Sequence, residues 1–170
     1  MNRIIIIMLN VIILLTGSFI TEAQKTESPI SLVGTYRLVS FETRYEKGDI
    51  QYPFGKDAVG QLSYDSAGNM SAFVMQPDRP KFTSGDRLQG TDAEVRAAFE
   101  GFVGYFGTYT VNAVKGTVTH HVLGAFLPNW VGGDQIRYYK IEGVRLTLSM
   151  PPSLSGGQRS ENIIVWERIK

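Results

Sequence analysis

Residues 116–148 read GTVTHHVLGAFLPNWVGGDQIRYYKIEGVRLTL, and this stretch decides the fold class. Three of its segments alternate between apolar and polar side chains, a period of two that is typical of β-strands. Between the segments lie the turn-forming residues Pro128, Gly132 and Gly133, and then Gly143. The stretch therefore predicts three short antiparallel strands in succession.

The same alternation extends across the rest of the chain and predicts eight strands in all. The predicted strands are 32–45, 58–65, 70–75, 107–112, 116–124, 134–143, 145–150 and 162–170. The strands are not interleaved with helices and the chain has no internal repeat, so the pattern favours an all-β sandwich or barrel. We expect an all-β, closed eight-stranded antiparallel barrel, whose interior has room for one small ligand.

One segment changes period and predicts a helix inserted between the third and fourth strands. Val95, Phe99, Phe102 and Phe106 recur at helical spacing and form one apolar face. Thr91 or Asp92 is expected to cap the helix, with Glu94 in its first turn. We expect the apolar face to cover an open end or side of the barrel.

The N-terminal residues predict export. Arg3 precedes an almost wholly apolar run, 4–15, and small residues lead up to Ala23. That is the layout of a secretory signal peptide. An uncleaved anchor is the alternative, but the run is shorter than the roughly 20 residues a spanning helix needs. The predicted division is signal peptide 1–23, loose leader 24–31 and barrel domain 32–170, with the protein in the periplasm or the medium.

Charge and composition exclude several classes of partner. The chain has 17 basic and 16 acidic residues, and removing Arg3 and Glu22 with the signal peptide keeps the net charge at +1. No basic patch favours nucleic acid. With no cysteine and two histidines, we expect no metal site, no cofactor and no disulfide. We expect a monomer with no membrane span after signal cleavage.

Several motifs together resemble the bacterial lipocalin-like domain family. They are LVGTYRLVSFE, MQPDRP, AAFEGFVGYFGTYTV, the 116–148 stretch and IVWERI, in matching order over 32–170. The resemblance implies a calycin-type barrel and says little about activity, because a fold does not fix a function. True lipocalins also open with Gly-x-Trp and carry a late Arg. The counterparts here are Gly34-Thr35-Tyr36 and Arg168, which we expect to close the barrel floor by stacking.

Strand alternation predicts which side chains face the interior. The apolar side of the fifth predicted strand carries His120, whereas His121 is expected at the surface. On the next strand, Lys140 marks the outer face, so Gln135, Arg137 and Tyr139 point inward. On earlier strands, Leu62 and Tyr64, and then Met70, Ala72 and Val74, are expected to point inward.

A buried arginine needs an acceptor, and the strands that carry His120 and Arg137 offer no inward carboxylate. The acceptor is either a bound ligand with a carboxylate, enolate or phenolate, or an internal network of His, Tyr, Gln and water. Asn129 and Trp130 fall in a turn, where Trp130 either stacks on a ligand or plugs the barrel end. Phe99 either lines the pocket or packs against the barrel.

Three functions follow from these expectations. The first is an exported protein that binds a small hydrophobic or amphipathic ligand, with His120, Arg137, Tyr139, Gln135, Tyr64, Trp130 and Asn129 as candidate contacts. The second is a proton-transfer enzyme of the isomerase or dehydratase type that uses His120 as base. No nucleophile, phosphate-loop or dinucleotide motif supports catalysis, and no catalytic residue is assigned. The third is a filled structural barrel of the envelope.

Overall fold

The computed structural model describes residues 31–155 and 157–169. The predicted signal peptide and nearly all of the predicted leader lie outside these residues. The elements, in chain order, are β1 Gly34–Tyr45, β2 Ile50–Gln51, β3 Val59–Tyr64, β4 Asn69–Met75, α1 Asp92–Glu100, β5 Phe102–Asn112, β6 Thr117–Ala125, a 3-10 turn Pro128–Trp130, β7 Asp134–Glu142, β8 Arg145–Ser149, β9 Ser153–Ser155 and β10 Gln158–Arg168. No helix in this part of the chain is long and apolar enough to cross a membrane.

Eight of the strands close into an antiparallel barrel. Their order is β1-β3-β4-β5-β6-β7-β8-β10, and β10 pairs back onto β1. The closing seam runs from Tyr36 opposite Arg168 to Tyr45 opposite Ser160, with one bulge between Leu38 and Ser40. The expected all-β, closed eight-stranded barrel with one helix is confirmed. Closure leaves no free sheet edge along the barrel wall.

The predicted position of the helix, between the third and fourth strands, is not matched, because α1 follows β4. The difference arises in 46–57, a segment predicted as loop. There the chain turns back at Gly48 and forms the two-residue strand β2, which pairs with Thr43 and Arg44 of β1. This extra strand lies beside the barrel wall. Because it is counted as β2, the helix follows the fourth strand instead of the third.

Of the four residues of the predicted helical face, only Val95 and Phe99 lie in a helix. Helix α1 ends at Glu100, and Phe102 and Phe106 belong to β5, whose residues from Phe102 to Thr108 pair with β4. In the strand, Val103 and Tyr105 face the barrel interior, and such tertiary packing overrides the helical spacing of the phenylalanines. The start of the helix is capped by Thr91, whose side chain and Glu94 form a reciprocal capping box.

The core consists of the inward faces that alternation predicts. Buried positions recur at every second residue along β3, β4, β6, β8 and β10. The fully enclosed apolar side chains include Leu62, Val118, Val122, Leu146 and Trp166. The barrel is therefore held by side chains from most of its circumference rather than by one hydrophobic face.

One end of the barrel is closed by Tyr36 and Arg168, as the resemblance implied. The guanidinium carbon of Arg168 lies 4.9 Å from the centre of the Tyr36 ring. Arg168 also donates to the Tyr36 hydroxyl at 2.7 Å, and that hydroxyl donates to the Leu32 carbonyl at 2.8 Å. Gly34 is required here, since its φ is 152° and a Cβ would meet the Arg168 guanidinium at 2.6 Å. We call this group the floor.

Candidate ligand-binding site

A cavity of about 450 Å³ lies inside the barrel, open toward the end opposite the floor. Its volume falls in the range of roughly 300–1,000 Å³ that is usual for small-molecule pockets. All eight barrel strands and the connections at the open end contribute to its lining. The lining residues are Phe41, Phe54, Leu62, Ala72, Val74, Phe99, Glu100, Phe102, Val103, Tyr105, His120, Phe126, Trp130, Gln135, Arg137, Leu148, Met150, Asn162, Ile164 and Trp166.

Aromatic rings in contact with one another form one side of the cavity, which we call the aromatic wall. From the open end inward, the ring centres of Phe99 and Phe126 are 5.2 Å apart, and those of Phe126 and Trp130 are 5.5 Å apart. Trp130 then meets Tyr105 edge to face at 5.8 Å. Such edge-to-face contacts are favourable for aromatic pairs. The aromatic wall is therefore a preformed apolar surface that ends at the Tyr105 hydroxyl.

His120 lies at the inner end of this wall and has no solvent exposure. Its Nε2 is 2.6 Å from the Tyr64 hydroxyl, and its Nδ1 is 2.8 Å from the Tyr105 hydroxyl. Burial is the main reason that its pKa falls to about 3, and the nearby positive charge of Arg137 lowers the pKa further. The imidazole is therefore neutral at neutral pH, with both ring nitrogens engaged.

The two tyrosines beside His120 are also neutral. Burial raises the pKa of Tyr64 well above its usual value and also raises that of Tyr105, although the charge of Arg137 opposes both shifts. Tyr64 lies on the side of His120 away from the cavity, whereas Tyr105 lines the cavity. The three groups thus form a line of hydrogen bonds that leads from the core to the cavity surface.

Arg137 supplies the buried positive charge of the cavity and is only 6% exposed. Its Nη1 donates to the Ile136 carbonyl at 2.8 Å and its Nη2 to the Gln135 side chain at 3.2 Å. Across residues 31–155 and 157–169, no carboxylate oxygen lies within 4.0 Å of its guanidinium. Its hydrogen-bond acceptors are therefore neutral, and its charge has no counterion among the described residues.

A second polar position lies across the cavity on β10. The Asn162 side-chain oxygen accepts from the Thr43 hydroxyl at 2.7 Å, and its amide nitrogen lies 3.4 Å from the Met150 sulfur. Deeper in, Trp166 lines the cavity and its buried indole N–H makes no hydrogen bond to the described residues. These groups are neutral. The charged lining residues are Arg137 and, at the solvent-exposed rim, Glu100, whose carboxylate pairs with Arg96.

The structure brings together most of the residues chosen from the sequence. His120, Arg137, Gln135 and Trp130 line the cavity, and Tyr64 is joined to it through His120. Their contact with a ligand stays a prediction. Phe99 also lines the cavity although it is half exposed.

Two of the chosen residues lie elsewhere. Tyr139 faces inward but packs against the core two residues closer to the floor than Arg137, so it does not line the cavity. Asn129 is exposed, because successive residues of a 3-10 turn point about 120° apart. Trp130 faces the cavity from this turn and Asn129 faces away.

Sequence reasoning missed Tyr105, Phe126 and Asn162. The sequence pattern predicts a helix for the segment that contains Tyr105, so strand alternation does not point to this residue. Within β5, Val103 and Tyr105 share one face, and this alternation is the signal that would have found the second residue. Asn162 lies on the same face of β10 as Ile164 and Trp166 and could have been found in the same way.

His121 lies on the outer surface, as predicted. Its Nδ1 lies 2.7 Å from the Asp134 carboxylate and its Nε2 lies 3.1 Å from the Thr110 hydroxyl. The side chains of these neighbours are exposed, and none of the three residues lines the cavity inside the barrel. Within 31–155 and 157–169, no three His, Cys, Asp or Glu side chains come together as a metal site.

Comparison with known proteins identifies the family. Residues 33–169 match the lipocalin-like domain family. The chain belongs to this family. It is 33% identical over 107 residues to the 4'-hydroxy-3'-methoxypropiophenone carrier protein ppsC of Aspergillus oryzae, a match that covers 59% of this chain and 96% of the relative. A crystal structure of a lipocalin-like protein from Bacteroides uniformis aligns with a TM-score of 0.40 at 15% identity, covering 81% of this chain and 98% of that one.

Proposed function

We propose that this lipocalin-like protein is an exported carrier that binds a small, mostly apolar ligand in its barrel, with an oxygen anion of the ligand beside Arg137. The observation that carries the proposal is the buried charge of Arg137, which has no carboxylate partner among the described residues and lies at the surface of a mostly apolar cavity. A buried charge without a counterion is costly, so a ligand that supplies the anion recovers that cost on binding.

The relative from Aspergillus oryzae supports this class of function. Its name describes it as a carrier of 4'-hydroxy-3'-methoxypropiophenone, an aromatic ketone with a ring hydroxyl. A ligand of that size and character is compatible with a cavity of about 450 Å³ that has an aromatic wall and few polar groups. Small-molecule binding is thus the function that fold, cavity and relative favour together.

The two alternatives have less support. A general base works best when its pKa lies near the working pH. The pKa of His120 is about 3, and both of its nitrogens are held by tyrosine hydroxyls. A filled structural barrel would leave no space of the observed volume next to a buried cation.

Native mass spectrometry of the protein purified from its own host tests the carrier function. We expect a stoichiometric small molecule that is lost on denaturation and is weakened or absent in Arg137→Met. Arg145→Met is the matched control, because Arg145 is exposed on β8. A protein that is always recovered empty, and that binds no small apolar anion added to it, would contradict the proposal.

Export is a separate part of the proposal and rests on the apolar run 4–15 and the small residues before position 24. We expect the intact mass of the protein from its own host to correspond to a chain that starts at Gln24. We also expect it in the periplasmic or extracellular fraction, and as a monomer in solution. A full-length chain in the membrane fraction would favour the anchor instead.

A further inference from the structure

The hydrogen bonds around His120 leave one proton without an acceptor. Neutral Tyr64, His120 and Tyr105 together carry one O–H, one N–H and one O–H. Only two hydrogen bonds join the three groups. One of the three protons must therefore point to an acceptor outside the line, and either Tyr64 or Tyr105 carries it.

The surroundings decide which tyrosine carries the free proton. Tyr64 is 2% exposed, and its hydroxyl makes no other hydrogen bond to the described residues. A free donor there would be buried without a partner, which costs about 1–3 kcal/mol. Tyr105 lines the cavity, where a ligand or water can accept its proton. His120 Nδ1–H therefore donates to Tyr105, and Tyr105 donates into the cavity.

The Tyr105 hydroxyl and the Arg137 guanidinium are thus two hydrogen-bond donors in the same part of the cavity. The Tyr105 hydroxyl provides an oriented O–H, and Arg137 provides a positive charge close enough to lower the pKa of that hydroxyl against the effect of burial. The Arg137 guanidinium carries five N–H groups. Two of its hydrogen bonds go to neutral acceptors, on Ile136 and Gln135, so donors remain available. The pair suits an oxygen that accepts from both.

The kind of oxygen follows from the number of donors and from the aromatic wall. A carboxylate presents about four acceptor sites and loses much of its hydration on burial. A phenolate has one oxygen and spreads its charge into a ring. Eight of the twenty lining residues are Phe, Tyr or Trp, and Trp130 and Tyr105 lie in contact beside the donors. A flat ring can stack there while its oxygen reaches Tyr105.

We propose that the cavity selects a single-ring phenol and holds its oxygen, ionised, between the Tyr105 hydroxyl and the Arg137 guanidinium. His120 is the positioning residue that keeps Tyr105 a donor. This inference rests on the proposed function and goes further by naming the ligand class and its recognition atoms. Tyr105 then determines specificity, although it was not among the residues chosen from the sequence.

The test uses two probes of nearly equal shape, 4-nitrophenol and 4-nitrotoluene, which has a methyl group in place of the hydroxyl. Binding is followed by quenching of tryptophan fluorescence, since both tryptophans line the cavity. Ionisation of bound 4-nitrophenol is followed by the visible absorbance of its phenolate. We expect the wild-type protein to bind 4-nitrophenol at least about tenfold more tightly than 4-nitrotoluene, because the phenol oxygen gains one charge-assisted hydrogen bond. We also expect the bound phenol to ionise at lower pH than the free one.

The variants separate the roles of the residues. Tyr105→Phe is expected to remove most of the tenfold preference while 4-nitrotoluene still binds. In Arg137→Met we expect the bound phenol to stay protonated. His120→Leu leaves the Tyr105 O–H in place without the hydrogen bond that orients it, so part of the preference and of the absorbance should be lost. His120→Asn, whose amide can still donate toward Tyr105, should lose less. Tyr138→Phe and Arg145→Met are the matched controls. Both replace exposed side chains, so these variants should behave as wild type.

The outcomes distinguish this inference from the proposed function. Equal wild-type affinity for the two probes, or a preference that survives both Tyr105→Phe and Arg137→Met, would overturn the phenol site and leave a general apolar carrier. Failure of both probes to bind the wild-type protein would overturn the phenol site and count against the proposed function as well. Binding of 4-nitrotoluene by each variant shows that its barrel is folded.

Discussion

Each end of the barrel interior contains an arginine next to a tyrosine, but the two pairs differ in what surrounds them. At the floor, Arg168 stacks on Tyr36 and also donates to the carbonyls of Ser31 and Val33. At the cavity, Arg137 is more deeply buried, has no carboxylate partner in the described chain and borders open space near Tyr105.

The difference shows how one combination of residues serves two purposes. The floor arginine lies at the barrel end, where carbonyls and an aromatic face satisfy it, so it stabilises the closed end. The cavity arginine has N–H groups and a positive charge without partners among the described residues. It therefore adds little to stability and makes the cavity selective for an anion. Substitutions at the floor should therefore change the free energy of unfolding, and substitutions at the cavity should change ligand affinity.

The largest expected effect is at the floor. Tyr36→Ala removes a side chain that is 1% exposed. It should lower the free energy of unfolding by about 3–5 kcal/mol, the usual cost of deleting a buried aromatic ring. Chemical denaturation followed by circular dichroism measures the change. Tyr138→Ala, on the outer face, is the control and should lose no more than about 1 kcal/mol. Equal losses in the two variants would mean that the floor does not hold the barrel.

The second effect is a dependence of stability on pH that comes from His120. Its folded-state pKa of about 3 lies below the unfolded value near 6.5. The unfolded chain therefore binds a proton first as pH falls, and stability is lost from about pH 6.5 down to about pH 3. Tyr64, Tyr105 and Arg137 surround the imidazole and carry no negative charge in this range.

Denaturant titration at pH 7 and pH 5 measures this loss, which should be about 2 kcal/mol. His120→Asn should be less stable at pH 7 but should lose much less between the two pH values. His121→Asn is the matched control and should keep the wild-type dependence because His120 is retained. The lowered pKa values of Asp65 and Glu94 add a further loss only at lower pH. A wild-type stability that stays flat between pH 7 and pH 5 would contradict the burial of a neutral His120.

The third effect concerns the aromatic wall. Trp130→Ala removes apolar surface that faces the cavity and should weaken binding of 4-nitrotoluene by about tenfold, or roughly 1–2 kcal/mol. Its effect on stability should be smaller than that of Tyr36→Ala because the indole is only partly buried. Isothermal titration calorimetry measures the affinity, with Val131→Ala, an exposed neighbour, as control. Unchanged affinity would remove Trp130 from the site.

The smallest effect compares the two arginines directly. Arg137→Met should change the free energy of unfolding by no more than about 1 kcal/mol, since the lost hydrogen bonds are offset by removal of a buried charge. Arg168→Met should cost about 1–2 kcal/mol through the lost stacking and hydrogen bonds. Thermal unfolding without ligand ranks the two variants. A larger loss in Arg137→Met would assign that residue a structural role.

The sequence predicted the faces of the strands well because the period of two leaves little choice. It separated His120 from His121 and directed Arg137 inward, since a single-residue slip would have buried Lys140. It also anticipated the pairing of Tyr36 with Arg168 through the family resemblance. His120 and Arg137 lie within regular strands, where alternation is least ambiguous.

Other parts of the site depend on contacts that no local pattern contains. Tyr105 lies in a segment whose phenylalanines have helical spacing, and pairing with β4 and β6 makes that segment a strand. The choice between Trp130 and Asn129 depends on the rotation of one 3-10 turn. The open space beside Arg137 depends on side-chain volumes from all eight barrel strands at once.

A crystal structure of the wild-type protein with bound 4-nitrophenol would test the central claim most directly. We expect the probe inside the barrel, with its ring against Trp130 and its oxygen within hydrogen-bonding distance of both the Tyr105 hydroxyl and the Arg137 guanidinium. A probe bound on the outer surface, or a cavity filled by its own side chains with Arg137 paired to a carboxylate of the chain, would contradict the assignment of this cavity as the ligand site.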